Sequence, residues 1–345
     1  MKRWIVAAAL GLATAGGIVT PGTAQASSGA WYRVYQADVP GSFNQTAAIS
    51  KTNIWAVGDT YTTAGKTIYQ PFVRHFNGSS WRAVTIPHSS GSTADWVSAS
   101  AASNVWVGGL KNNSTATTVV YRWNGARWVK IPVPAVTYLQ GVIALAPRNA
   151  WAFGSSGTEA YDIFHWNGSK WRYYLANYIN FIPQDISASG PDNVWVSGFA
   201  YSGSKQVVAA YRWNGTAWRP VSMPHPVFDD AGPDVTAVSP SNVWIGWYDT
   251  TSSHALHWDG HHWHTLTAPY YADPLHIVPD GKGGYWFGAQ AILTGSTWTA
   301  EQVPAFTGGF GGVTRIPGTT SFLLNAGVEA GGSSTVKPTI FRFDL

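Results

Sequence analysis

Two short patterns of hydrophobic and turn-forming residues alternate along the chain, and each recurs about every 46 residues. The first pattern is Asn, an aliphatic residue and Trp, followed by apolar residues and Gly; its copies contain Trp55, Trp106, Trp151, Trp195, Trp244 and, in degenerate form, Trp286. The second pattern is an aromatic residue, Asn-Gly or Asp-Gly, and then a Trp; its copies end at Trp81, Trp128, Trp171, Trp218, Trp263 and, in degenerate form, Trp298. A fixed period of this length predicts a fold built from similar units.

Each unit is predicted to form four antiparallel strands. An Ala/Val/Ser-rich segment such as 96–100 comes first, and the Asn-x-Trp strand follows it. The third and fourth strands, such as 119–123 and 127–131, are joined by the Asn-Gly or Asp-Gly turn, a strong hairpin signal. With a two-residue turn, Tyr121 would lie opposite Trp128, an aromatic pair that stabilises a sheet face.

The ends of the chain predict how the units close. Six complete units run from about residue 43 to 303, and a seventh, from 312 to 345, lacks its fourth strand. Residues 31–34 resemble that missing strand. If they complete the last unit, the ring closes and no sheet edge is left open at the joint. The prediction is an all-β, seven-bladed β-propeller in which the N-terminal strand completes the last blade.

Residues 1–26 have the features of a secretory signal peptide, so 27–345 is expected to be a single secreted, extracellular propeller domain. Lys2 and Arg3 precede an apolar run over 4–19, and small residues flank a cleavage position at 24–26. The run is shorter than the roughly 20 residues that span a bilayer, so no membrane insertion is expected.

Composition and charge narrow the functions further. The chain has no Cys, which excludes disulfides, cysteine nucleophiles and Cys-ligated metals. Without Lys2 and Arg3, 19 basic residues face 17 acidic ones, and such a balance gives no support for nucleic-acid binding. The 20 Trp residues are chiefly repeat positions, and outside the signal only Trp96 and Trp247 fall outside the repeat frame.

The repeat resembles that of the kelch family of β-propellers, with Gly58, Gly108 or Gly154 after the second strand, Tyr in the third and Trp in the fourth. It differs in its mostly single glycines, and its turn is similar to the Asp box of sialidase-type propellers but one residue shorter. A closer match is the Asn-Val-Trp-Ala-Val-Gly and Trp-Asn-Gly-x-x-Trp repeat of secreted bacterial proteins without an assigned role. These resemblances imply the fold but not the ligand, because propellers include enzymes, lectins and adaptors.

One position of the repeat diverges in a way that suggests function. When the units are aligned on the Trp of the Asn-x-Trp pattern, the residue ten positions before it varies from unit to unit. This position is where a first strand is expected to begin, and its residues are Gln45, Trp96, Gly141, Asp185, Asp234, His276 and Gly312. A propeller commonly binds ligands at this mouth of its channel. Divergence here fits a functional site, but a solvated polar rim accounts for it better, since loops are polar in any case.

Aromatic residues are frequent in the segments expected on the same face. They are accompanied by acidic residues, and together they could stack on sugar rings and accept hydroxyl hydrogen bonds. The ligand-binding residues predicted on this basis are Trp96, Trp247, Tyr248, Asp185, Asp234 and His276. Further loop residues of this kind are Tyr61, Tyr178, Phe181, Tyr201, Phe228, Asp229, Asp230, Asp249, Tyr270, Tyr271, Phe306 and Phe310. Packing between neighbouring loops is the alternative for each residue.

A histidine cluster invites comparison with a metal site. It comprises His254, His257, His261, His262 and His264, and a two-residue turn would place His257 opposite His262. However, the position of His257 in the repeat is also occupied by His75 and His165, which indicates a structural role. No metal or other cofactor is predicted.

Three functions remain open. The first is a secreted, non-catalytic, monomeric binding protein for a glycan or another cell-surface ligand. The second is a carbohydrate-active hydrolase or lyase that uses Asp185 and Asp234 with His276 or Arg315. The third is an extracellular protein-interaction scaffold. Motifs of acyl-transfer, zinc-protease and nucleotide enzymes are missing from the sequence, and galactose-oxidase chemistry, which needs a Tyr linked to Cys, is excluded.

Overall fold

The computed structural model describes residues 29–62, 68–111, 117–133, 138–155, 161–174, 180–227, 232–249, 252–269, 272–304, 310–329 and 335–345. Within these ranges the chain forms 28 β-strands in seven four-stranded antiparallel sheets. Each sheet is one blade, and the first strands of neighbouring blades contact one another around a ring. The fold is therefore an all-β, seven-bladed β-propeller, which confirms the prediction.

The strands follow the repeat in chain order, and β1 (Tyr32–Gln36) precedes the first complete blade. Blade 1 contains β2 (Gly41–Ser50), β3 (Asn53–Thr62), β4 (Ile68–Phe76) and β5 (Trp81–Val84). Blade 2 contains β6 (Trp96–Ala101), β7 (Asn104–Lys111), β8 (Thr117–Trp123) and β9 (Trp128–Ile131). Blade 3 contains β10 (Tyr138–Ala146), β11 (Asn149–Ser155), β12 (Tyr161–Trp166) and β13 (Trp171–Tyr174).

The remaining blades have the same order of strands. Blade 4 contains β14 (Phe181–Gly190), β15 (Asn193–Ser202), β16 (Lys205–Trp213) and β17 (Trp218–Pro220). Blade 5 contains β18 (Asp234–Ser239), β19 (Asn242–Tyr248), β20 (Ser253–Trp258) and β21 (Trp263–Ala268). Blade 6 contains β22 (Ile277–Pro279), β23 (Gly284–Phe287), β24 (Ala291–Thr294) and β25 (Thr297–Ala300). Blade 7 contains β26 (Phe310–Arg315), β27 (Ser321–Glu329) and β28 (Val336–Asp344), with β1 as its outer strand.

The N-terminal strand closes the ring, as the orphan copy of the fourth strand predicted. Strand β1 pairs with β28 in antiparallel register, from Tyr32 opposite Arg342 to Gln36 opposite Thr339. Just before it, Trp31 is buried and donates its indole N–H to the carbonyl of Ala289 in blade 6 at 3.2 Å. The two ends of the chain are thus held together in one sheet.

A hydrogen bond that recurs in several blades explains why the Asn-x-Trp pattern is repeated. In blade 1, Asn53 Oδ1 accepts a hydrogen bond from Trp55 Nε1 at 3.0 Å and lies 2.9 Å from His75 Nε2. The bond from the indole N–H to Asn recurs for Trp106, Trp195 and Trp244, at 3.1, 3.0 and 3.1 Å. Because a buried N–H needs an acceptor, the Asn allows an indole to be placed inside the propeller.

These second-strand aromatic residues join each blade to the next. Six of the seven boundaries between blades are filled by an indole that contacts an aromatic ring of the following blade. Centroid distances are 5.7 Å for Trp55–Trp128, 5.8 Å for Trp106–Trp171, 5.2 Å for Trp151–Trp218, 6.2 Å for Trp195–Trp263, 5.7 Å for Trp244–Phe287 and 5.6 Å for Trp286–Trp31. At the seventh boundary, between blades 7 and 1, the equivalent residue is Leu323.

The turn between the third and fourth strands of blade 2 is longer than predicted. A two-residue turn would place Tyr121 opposite Trp128, but Trp123 is opposite Trp128 and Tyr121 pairs with Lys130. The loop is longer because the side chain of Asn124 accepts the N–H groups of the residues at 126 and 127, at 3.0 and 2.9 Å. This Asn turn adds two residues and leaves each side chain on its predicted face.

The described residues contain no helix that is long and apolar enough to cross a membrane.

Candidate functional site

The seven divergent positions are structurally equivalent. Each lies in the first half of a first strand or just before it, paired with the residue two positions after the repeat tryptophan, as in Trp96–Gly108, Asp185–Ser197 and Asp234–Gly246. In blade 6 the peptide N–H at position 288 bonds to the carbonyl of His276, which gives the same register. Since first strands surround the propeller axis, these residues share one end of the channel.

A polar group forms at this end between blades 5 and 6. His276 Nδ1 lies 3.0 Å from Asp273 Oδ2, and Tyr248 donates its hydroxyl proton to Asp273 Oδ1 at 3.1 Å. The backbone N–H of Leu275 also donates to Asp273 Oδ1, at 3.0 Å. We call Asp185, Asp234, Tyr248, Asp273 and His276 the His276 cluster. Two of its predicted members, Tyr248 and His276, are thereby linked to Asp273, an aspartate that was not among the predicted site residues.

Electrostatic interactions within the His276 cluster shift the pKa values of His276 and Asp273. Burial by itself lowers the pKa of His276, but the charge and hydrogen bond of Asp273 and the charges of Asp234 and Asp185 raise it above its ordinary value. Burial raises the pKa of Asp273, yet the charge and hydrogen bonds it receives hold it below its ordinary value. The cluster therefore favours a cationic imidazole that faces several carboxylates.

The surroundings leave His276 reachable from solvent. Its ring lies edge-on to Phe310 with centroids 5.2 Å apart, and 25% of the side chain is exposed. A β-carbon at Gly312 would lie 2.8 Å from His276 Cδ2, closer than such atoms approach each other. Glycine at the divergent position of blade 7 therefore makes room for the imidazole of blade 6.

Asp185 also has a structural role, because it joins two neighbouring blades. Its Oδ2 accepts the backbone N–H of Val235 in the next blade at 2.9 Å. Gln45, at the equivalent position of blade 1, accepts the N–H of Val97 at 2.8 Å. The divergent position can thus tie neighbouring first strands together, which gives partial support to the structural interpretation of these residues.

The structure corrects the expected exposed platform of Trp96 and Trp247. Trp96 is 6% exposed and Trp247 is 2% exposed, and each belongs to a blade core. Trp96 lies across its own sheet, where a β-carbon at Gly108 would be 2.0 Å from the indole ring. Trp247 stacks on His254 with centroids 5.3 Å apart. Neither indole offers a ring face to a ligand.

Arg315 also lies elsewhere than expected for a catalytic group at the mouth. Its guanidinium donates to the carbonyl of Thr319 from Nε and Nη2, at 3.1 and 3.0 Å, in the turn after the first strand of blade 7. That turn is at the opposite end of the strand from Gly312. The predicted loop residues outside the described part of the chain are Tyr178, Phe228, Asp229, Asp230, Tyr270, Tyr271 and Phe306.

The histidines of blade 5 have separate partners. His257 stacks on Trp244 at 4.1 Å and lies 3.1 Å from Asn242 Oδ1, which matches the geometry of His75 in blade 1. The longer turn places His257 opposite His264 instead of His262. No group of three or more His, Cys, Asp or Glu in the described residues is placed to hold a metal ion.

Several solved structures of other proteins align with this chain. YCF48 bound to D1 peptide aligns with a TM-score of 0.61 and 15% identity over 95% of this chain and 100% of that chain. The β-propeller domain of the Trilobed protease from Pyrococcus furiosus aligns with a TM-score of 0.57 and 9% identity, over 88% and 93% of the two chains. SapL1 lectin in complex with alpha methyl fucoside reaches 0.48 with 14% identity, over 78% and 98%. No protein-family model and no curated protein matches the chain.

The cluster makes a measurable pH prediction. In Asp273→Asn the largest influence that raises the pKa of His276 is removed, so burial dominates and this pKa is expected to fall. In the wild-type protein, the raised pKa of His276 stabilises the fold at pH values below the pKa of an unfolded histidine, about 6.5. This stabilisation is lost as the pH rises through the pKa that His276 has in the folded protein. The lowered pKa of Asp273 adds stability that is lost as pH falls through its own folded value.

Titration of the His276 ring protons by NMR tests this prediction. The matched control is Tyr248→Phe, which removes one hydrogen bond to Asp273 but keeps its charge. His276 should titrate close to the wild-type value in the control and at lower pH in Asp273→Asn. Equal titration in all three proteins would contradict the proposed coupling.

Proposed function

We propose that the protein is a secreted, non-catalytic binding protein that takes a glycan, or a similar hydroxyl-rich cell-surface ligand, at the His276 cluster. Secretion is proposed from the signal-like pattern of residues 1–26. The observation that carries the binding proposal is the partly exposed His276, held 3.0 Å from Asp273 beside Phe310.

The chemistry of the cluster suits sugar hydroxyl groups. Carboxylate oxygens of Asp234 and Asp273 accept hydrogen bonds, whereas an imidazolium donates them, so the cluster can satisfy both sides of a hydroxyl group. Phe310 supplies an apolar ring next to these groups, and sugar rings have apolar faces that pack on aromatic residues. A few converging polar groups beside an aromatic surface are typical of a small-ligand site.

Two structural observations favour binding over hydrolysis or elimination. Asp185 is engaged by the backbone of blade 5, so its carboxylate already has a role in joining two blades. Arg315, the cation considered for an enzyme, bonds to Thr319 away from the mouth. The experiment below has results that would favour the enzyme or the protein-interaction scaffold instead.

The proposal is tested by passing the purified protein over immobilised soluble and insoluble polysaccharides. We expect retention on one class without release of oligosaccharides. In Asp234→Asn and His276→Gln, Kd should rise about tenfold or more, because a hydrogen bond to a charged group contributes about 1.5–3 kcal/mol.

The matched controls are Asp38→Asn and His261→Gln, which make the same chemical changes at exposed positions. They should bind like the wild-type protein. Released oligosaccharide or unsaturated uronate would favour the enzyme. Absence of retention on every polysaccharide, or retention that the cluster variants leave unchanged, would overturn the proposed site and leave the scaffold function.

A further inference from the structure

A cleft opens at one boundary of the propeller, between blades 7 and 1, far from the His276 cluster. Its volume is about 390 Å³, and its walls are formed by Tyr35, Leu323 and Arg342 from blade 7 and by Ile54, Phe76 and Trp81 from blade 1. Leu323 and Ile54 form a buried floor, whereas Ser79 and Ser80 on the rim are exposed. The cleft is therefore apolar inside and open to solvent beside the turn between β4 and β5.

The cleft occupies the place of a missing indole. At the other six boundaries, a second-strand Trp contacts an aromatic ring of the next blade, as Trp55 contacts Trp128 and Trp106 contacts Trp171. Leu323 holds the same register, because it pairs with Arg342 just as Trp106 pairs with Arg122. Leu323 is shorter than an indole, and the ring of blade 7 that contacts Trp81 is Tyr35, with centroids 5.7 Å apart, so the cleft opens beside this pair.

Arg342 strengthens this comparison. In blades 2 and 4 an arginine at its position covers the indole of the second strand, with Arg122 5.8 Å from the ring of Trp106 and Arg212 5.5 Å from the ring of Trp195. In blade 7 Arg342 also lines the cleft, where its guanidinium donates to Asp344 Oδ1 at 2.8 Å and to Ser321 Oγ at 3.0 Å, and among the described residues no second-strand indole lies beneath it. An incoming aromatic ring would meet the apolar floor, with Arg342 at the wall of the cleft.

We propose that this cleft is a binding site for a tryptophan side chain presented by a peptide or protein partner. The propeller itself indicates that occupant, because it places an indole in the equivalent space at six boundaries. Apolar cavities in proteins bind aromatic molecules because the cavity walls gain contacts that they otherwise lack. The exposed Ser79 and Ser80 at the rim leave an approach for the backbone of such a partner.

The first experiment uses N-acetyl-tryptophanamide as the probe and follows binding to the full-length folded protein by NMR. We expect saturable shifts of signals from Leu323 and Trp81. In Leu323→Trp the chain fills the cleft with its own indole, so the affinity for the probe should fall about tenfold or more, with Tm no lower than that of the wild-type protein.

A matched variant reverses the change at another boundary. Trp195→Leu removes an indole that Arg212 covers and that contacts Trp263, so it should create a second cleft that binds the probe. His276→Gln, at the other end of the propeller, should leave probe binding unchanged, which separates this proposal from the proposed glycan site.

The outcomes decide the proposal. Saturable binding that Leu323→Trp abolishes and Trp195→Leu duplicates supports it. Absence of saturable binding, or binding that Leu323→Trp does not weaken, overturns it. Failure of Leu323→Trp to fold also counts against it, because the cleft would then be unable to accommodate an indole. A preference for N-acetyl-phenylalaninamide over the tryptophan probe would overturn the assignment of tryptophan as the occupant.

Discussion

Replacement of Trp106 by Ala is expected to lower the free energy of unfolding by about 3–5 kcal/mol. The side chain is fully buried, contacts the rings of Trp166 and Trp171 at 5.8 Å each, and donates its N–H to Asn104 at 3.1 Å. Its removal leaves a cavity between blades 2 and 3 and an Asn without one of its donors. Both effects act on the same boundary, so the loss should be among the largest that any single substitution in this chain causes.

Chemical denaturation followed by tryptophan fluorescence and circular dichroism measures this loss. The matched control is Tyr173→Ala, which truncates an aromatic residue that is 52% exposed. Its free energy of unfolding should stay within about 1 kcal/mol of the wild-type value. If Trp106→Ala were as stable as this control, the interpretation of the repeat indoles as the joints between blades would be wrong.

The same measurement bears on Trp96 and Trp247. Both lie outside the repeat frame, which is the reason for predicting that they bind a ligand. Because both are buried, their replacement by Ala should destabilise the fold, and a loss of binding in such variants would not identify a ligand contact. The groups that touch solvent in the His276 cluster are better probes of function.

The repeat made the fold predictable. Each of six complete units gave independent evidence for the same four strands, and the orphan copy of a fourth strand at residues 31–34 indicated how the ring closes. A fixed period constrains architecture strongly because every unit must bury the same faces against its neighbours. The exact pairing across the turns was less predictable, since the hydrogen bonds of Asn124 add two residues to the loop.

The candidate site was predictable only in part. The divergence of Asp185, Asp234 and His276 at one repeat position located them at the channel end, where their charges act on one another. Asp273 was missed because it lies in a connection between blades that has no counterpart in the repeat. Its one sequence signal is its place three residues before His276.

The sequence could not predict the direction in which the side chain of Trp96 points. Its spacing places it at the channel end, but its indole turns across Gly108 into the sheet. Two adjacent glycines, at 108 and 109, distinguish this unit and make that approach possible. A large residue at a divergent position beside an added glycine is therefore better interpreted as packing than as an exposed contact.

Deletion of residues 31–36 is the second change with a large expected effect. It removes Trp31, whose ring lies 5.6 Å from Trp286 and 5.4 Å from Phe343, and it removes every backbone pair between β1 and β28. The loss of the buried indole alone corresponds to about 3–5 kcal/mol, and the free edge of β28 would add a tendency to associate. Since domains of ordinary stability unfold with about 5–15 kcal/mol, a large fraction of this variant should be unfolded or aggregated.

Size-exclusion chromatography and thermal unfolding test the deletion, with Tyr32→Ala as the control because that side chain is 46% exposed and the strand is kept. A synthetic peptide of residues 29–37, added to the deletion variant, should raise its Tm toward the wild-type value by restoring the pairing with β28. A deletion variant that stays monomeric and unfolds at the wild-type Tm would show that the other blades hold the ring without this strand. Rescue by the peptide, and by no scrambled version of it, would instead establish that closure depends on Trp31 and the register of β1.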